Sequence, residues 1–163
     1  MRILGIDPGS VRTGYAFVDF DGRRFAHVAS GHLSLGQASM APRLARIFRE
    51  LGALINEFAP VEAAVESVFM QKNVASAIKL GQARGAALTA LATADLPVAE
   101  YPPATVKQMI CGGGRASKEQ INFMVQRLVN RREPLQEDEA DALAVALCHG
   151  FQQQTRRRRE VCA

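Results

Sequence analysis

The feature that most constrains this chain is the placement of four carboxylates against its apolar runs. Asp7 closes the run Ile3-Leu4-Gly5-Ile6 and enters the turn Asp7-Pro8-Gly9-Ser10. Glu66 closes a second run, Ala63-Ala64-Val65. Asp138 and Asp141 stand three apart, about one helical turn, just ahead of the apolar stretch from Ala142 to Leu147. Each of these three distant segments is set to aim its acid at one place. Carboxylates gathered in that way repel one another and are costly to desolvate unless a cation compensates them. A ligand set made only of oxygen favours Mg²⁺ or Mn²⁺. Carboxylates around hard divalent ions are a common apparatus for cutting phosphodiesters.

The spacing of apolar residues predicts the elements around these acids. Residues 2–7 read as a buried strand and residues 13–20 as a second. Asp21-Gly22 is a hairpin signal leading to a third strand at about 24–35. Leu44, Ile47, Phe48, Leu51, Leu54, Ile55 and Phe58 form one helical stripe, which Pro60 stops. A short strand at 61–68, a long helix at about 75–94, a strand at 96–101 and a short helix near 104–110 follow. After the glycine-rich loop 111–115, Ser117 and Gln120 form a capping box that opens the next helix, with Pro134 as its expected end. The last helix starts at Glu137 or Asp138 and runs to about Phe151. The order β-β-β-α-β-α-β-α-α-α predicts an α/β fold. Its mixed five-stranded sheet has three antiparallel strands followed by parallel ones, with helices on its flanks. The expected organisation is one domain over 1–151 and a disordered basic tail over 152–163.

Charge adds less than the pI of about 9.3 suggests. Residues 151–163 supply most of the net +4. More telling is the distribution: acids concentrate between Glu119 and Asp141, while Lys72, Lys79, Arg84, Lys107, Arg115 and Lys118 occupy the middle. A basic rim around a metal-neutralised acidic pocket suits a phosphate backbone. No apolar run approaches the length of a membrane span. Cys111, Cys148 and Cys162 lack zinc-ligand spacing and are odd in number, which points to a reducing, cytoplasmic compartment.

Gly5-Ile6-Asp7-Pro8-Gly9-Ser10 with Thr13-Gly14-Tyr15 resembles the opening of the RuvC family of Holliday junction resolvases. Glu66-Ser67-Val68-Phe69-Met70-Gln71-Lys72-Asn73, Leu80-Gly81-Gln82-Ala83-Arg84-Gly85 and Asp138-Glu139-Ala140-Asp141-Ala142-Leu143-Ala144 complete the resemblance, which spans about residues 2–150. It implies a ribonuclease-H-like fold and a homodimer that makes paired symmetric nicks in four-way DNA junctions during recombination and repair, leaving 5′-phosphate and 3′-hydroxyl ends. Asp7, Glu66, Asp138 and Asp141 become the implied ligands of two Mg²⁺ per subunit, with Mn²⁺ as substitute. Lys107 and Lys118 are implied beside the scissile phosphate, Phe69 is implied to stack near the junction centre, and Lys72 is a further DNA-binding candidate. A branch-migration helicase complex is the implied further partner. His27, His32 and His149 receive no role, and Glu137 and Glu139 read as residues that favour the helix dipole. Two rival readings share parts of the pattern. An actin-like ATPase needs a second domain, for which 163 residues leave no room. A non-catalytic DNA-binding module is disfavoured by the presence of all four acids.

Overall fold

In a computed structural model of the chain, residues 1–67 and 73–161 are described. Phe69 and Lys72 lie outside them. The described elements are β1 (Arg2–Asp7), β2 (Arg12–Phe20), β3 (Phe25–Ser34), α1 (Met40–Phe58), β4 (Glu62–Glu66), α2 (Val74–Thr93), β5 (Val98–Tyr101), α3 (Pro103–Cys111), α4 (Lys118–Leu128) and α5 (Glu137–Val161). The five strands form one sheet in the order β3-β2-β1-β4-β5. The first three strands are antiparallel neighbours, and β4 and β5 join in parallel. The β2–β3 turn follows its sequence signal. Gly22 takes φ +101°, and the Asp21 carboxylate accepts hydrogen bonds from the amides of Arg23 and Arg24.

Strand alternation sorts the buried residues onto two faces. Leu4, Ile6, Ala63 and Val65 pack against Ile47, Leu51 and Ile55 of α1 and Ala83, Ala87 and Leu91 of α2. Phe48, expected in the α1 stripe, is 39% exposed at its margin. Ile3, Ala16, Val18 and Ala64 turn the other way, toward α3, α4 and α5. The same period places Asp7 and Glu66 on the α5 face.

Two glycines set how closely α5 lies on that face. A Cβ added to Gly5 would meet the Ala142 carbonyl oxygen at 2.2 Å, and one added to Gly14 would meet the Asp138 carbonyl oxygen at 2.1 Å. Any side chain at either position would lift the helix off the strands.

Two expected boundaries are corrected. Helix α4 ends at Leu128 rather than near Pro134. Asn130 enters the left-handed region at φ +52°, which asparagine tolerates, and the Arg131 amide closes back onto the Gln126 carbonyl. The supposed disordered tail is instead a continuation of α5 to Val161. Its polar residues find partners that a one-dimensional pattern hides. Gln153 donates to Glu62 at 2.6 Å, and Gln154 donates to the Gly22 carbonyl at 2.8 Å.

Candidate active site

Asp7 is the last residue of β1, and Glu66 is the last residue of β4. Those strands are parallel neighbours with Ile6 opposite Val65, so the register carries both acids side by side to the same sheet edge. After Asp7 the chain turns sharply through Pro8 and Gly9. Buried Thr13 ties that turn: its hydroxyl donates to the Gly9 carbonyl at 3.0 Å and accepts from the Gly9 amide at 3.3 Å. After Glu66, the Ser67 amide donates to the Tyr101 carbonyl. Helix α5 enters above, where the close approach at Gly14 fixes the height of Asp138 and Asp141.

All four acids line one open cleft of about 720 Å³. Lys107 of α3 and Lys118, the first residue of α4, line it too. Pro103 starts α3 where a missing amide does no harm, and the capping box of Ser117 and Gln120 holds the start of α4. Lys118 pairs with Glu137, and Arg12 approaches Asp138 to 3.6 Å from the cleft rim.

Electrostatics mark these acids as under-compensated. Burial, then the charges of Glu66, Asp141 and Asp138, push the Asp7 carboxyl up to about 8 against the pull of Lys118. Burial and Asp141 push Glu66 up to about 7, opposed by Lys107 and Lys118. Asp141 is also raised, by burial and by Asp138, with Lys118 and Lys107 opposing. Among the described residues no three His, Cys, Asp or Glu side chains stand drawn together as a finished metal cage. Lys107, Lys118 and Arg12 stand at the margin of the four acids. The donor set is nevertheless what a hard divalent cation takes: oxygen only, partly desolvated and rich in unpaired negative charge.

Two buried polar groupings on the same sheet face escaped the sequence reading. In one, His149 shares hydrogen bonds with the Tyr101 hydroxyl at 2.7 Å and with Glu62 at 2.6 Å. The spacing of Asp138, Ala142, Ala146, His149 and Gln153 along α5 was the signal that could have found it. In the other, Glu139 accepts from Ser30 at 2.5 Å and from Arg131 at 2.8 Å, and His27 lies 2.6 Å from the Ser30 hydroxyl. Glu139 is therefore a buried, paired acid rather than a solvated helix-dipole residue.

Paired acids at adjoining strand ends of a ribonuclease-H-like sheet, crossed by a helix bearing two more, define a nuclease of that fold class. The family profile described as crossover junction endodeoxyribonuclease RuvC matches residues 3–149, and the chain belongs to that family. A curated RuvC from Halorhodospira halophila is 57% identical over 149 residues, covering 91% of this chain and 89% of the relative. The structure of Thermus thermophilus RuvC in complex with Holliday junction substrate superposes with a TM-score of 0.89 at 34% identity, covering 95% of this chain and 96% of that one. The yeast mitochondrial Holliday junction resolvase Ydc2 shares the fold, with a TM-score of 0.66 at 14% identity, over 98% of this chain and 84% of that one.

Proposed function

We propose that this chain resolves four-way DNA junctions by symmetric paired nicks that require divalent metal. The observation that carries this reading is the cleft itself, lined by Asp7, Glu66, Asp138 and Asp141, with Lys107, Lys118 and Arg12 at its margin to offset them. These four carboxylates hold Mg²⁺, two ions per subunit, with Mn²⁺ as a workable substitute. When bound, the ions supply charge neutralisation and Lewis acidity. The protein supplies the rest. The strand ends hold Asp7 and Glu66 side by side. Lys107 and Lys118 hold the scissile phosphate and oppose the negative charge that builds on it in the transition state. Arg12 at the rim adds a further phosphate contact. Hydrolysis leaves 5′-phosphate and 3′-hydroxyl ends.

The T. thermophilus relative was solved with a Holliday junction, and we carry that substrate to this chain. Contacts to phosphates position a protein without reading sequence, so binding follows junction shape. Phe69 and Lys72 are proposed DNA contacts, Phe69 near the junction centre. A homodimer supplies two sites related by a two-fold axis, matching an open four-way junction. The setting is recombination and repair in the cytoplasm, alongside the branch-migration helicase. Among the described residues no helix is long and apolar enough to cross a membrane.

The test uses labelled four-way junctions and matched linear duplex, with Mg²⁺ and with a chelator. Paired nicks in the junction only, and only with metal, are expected. Equal cutting of linear duplex, or cutting in chelator, overturns the proposal.

A further inference from the structure

Glu139 lies between Asp138 and Asp141 in sequence, yet it leaves the cleft and faces the opposite flank of α5. Only 7% of it is exposed. Three donors from outside α5 converge on its carboxylate: the Ser30 hydroxyl of β3 at 2.5 Å, the Arg131 guanidinium at 2.8 Å and the Gln136 amide at 3.2 Å. Arg131 also donates to Ser30 at 3.0 Å, so the grouping is cross-braced. The Gln136 contact caps the first turn of α5 in the manner of a capping-box glutamate. On the opposite side the same turn rests on Gly14 through the Asp138 carbonyl. Successive residues of a helix are rotated by about 100°. A roll that freed Glu139 would therefore swing both cleft acids of α5 away from Asp7.

We infer that Glu139 is a positioning residue: clamped by Ser30 and Arg131, it sets the rotation of the first turn of α5 and thereby the direction in which Asp138 and Asp141 point. The inference rests on the proposed role of those two acids toward divalent metal. Glu139 itself touches neither substrate nor metal.

The test compares Glu139→Ala, Glu139→Gln and Ser30→Ala with the unaltered chain in three measurements. These are Mn²⁺ binding to the DNA-free protein by calorimetry, the Mg²⁺ dependence of junction cleavage, and binding of junction DNA in chelator. Partners that orient ligands are typically worth 10–100-fold in metal affinity. Glu139→Ala should weaken Mn²⁺ binding by roughly that factor. It should raise the Mg²⁺ needed for half-maximal cleavage in parallel and leave junction binding unchanged. Glu139→Gln, which keeps the shape, should recover part of the loss. If Glu139→Ala does not fold, Glu139→Gln and Ser30→Ala decide, with smaller shifts in the same direction. Variants that fold and show unaltered Mn²⁺ binding and Mg²⁺ dependence overturn the inference. An unaltered chain that neither binds Mn²⁺ nor needs metal to cut overturns the proposed function instead, and the two failures are told apart.

Discussion

One turn of α5 carries two opposite electrostatic environments. On its cleft side, Asp141 lines the cleft with Asp7 and Glu66, and these three carboxyls are held above their ordinary range. On its flank, Glu139 is also shielded from solvent, yet it is held below its ordinary range. Burial pushes it up, but hydrogen bonds from Ser30, Arg131 and the Gln136 amide outweigh that. Burial alone thus does not distinguish the two regions. The difference lies in what faces the carboxylate. Donors from the protein make a buried acid structural. Other acids, with basic side chains only at the rim, leave a demand for positive charge that the fold does not meet by itself.

The contrast breaks most visibly at Asp7. Asp7→Asn should abolish junction cleavage while leaving junction binding intact. It should also raise the thermal stability of the metal-free protein, because one of several repelling charges is gone. Substantial nicking by a folded Asp7→Asn protein would sink the assignment of the cleft. Lys107→Ala is expected to lower the cleavage rate by roughly 10²-fold, the range for removing one group that meets transition-state charge. Single-turnover kinetics with saturating protein measure this, and an unchanged rate removes Lys107 from the machinery.

Stability sharpens the comparison further, because the sign should reverse between regions. Glu139→Ala leaves Arg131 and Ser30 facing a gap and should cost roughly 1–3 kcal/mol. Denaturant unfolding of the two variants side by side is the check, and a shared sign would show that the regions do not differ as described. The smallest effect concerns pH. Asp7 and Glu66 have folded values raised to about 8 and about 7 from ordinary values of 3.8 and 4.5. Their contribution to stability is complete below the ordinary carboxylate range and is lost as pH rises through 7 to 8. Melting temperature in chelator should therefore fall between pH 5 and pH 8, and Mg²⁺ should restore it at the upper end. A flat profile in chelator would count against the crowding of charge.

Much of this was legible in the sequence because the relevant signals are local. Apolar runs ending in Asp7 and Glu66 sit where two strands end, and the Ser117–Gln120 capping box forms as read. The strand order follows from hairpin and crossover rules applied to elements of the right type. What escaped reading depends on partners distant in the chain. Glu139 meets Ser30 and Arg131, and Glu62 meets His149 and Gln153. The residues around each acid in the chain do not separate it from a solvated one. The polar residues of 152–161 misled for the same reason, since Gln153 and Gln154 gain their hydrogen bonds only once the sheet is in place. Gly5 and Gly14 were noticed as motif letters, but their use, bringing the backbone of α5 against the strands, required the packed structure.

The contact of Gly5 with Ala142 and Ala146 joins the first strand to the last described helix, nearly the whole chain apart. Closures of that span come late, because the entropy of a long loop is met before its contacts reward it. The four cleft acids therefore come together only through that closure: Asp7 and Glu66 end the strands, and Asp138 and Asp141 stand on the helix that crosses them.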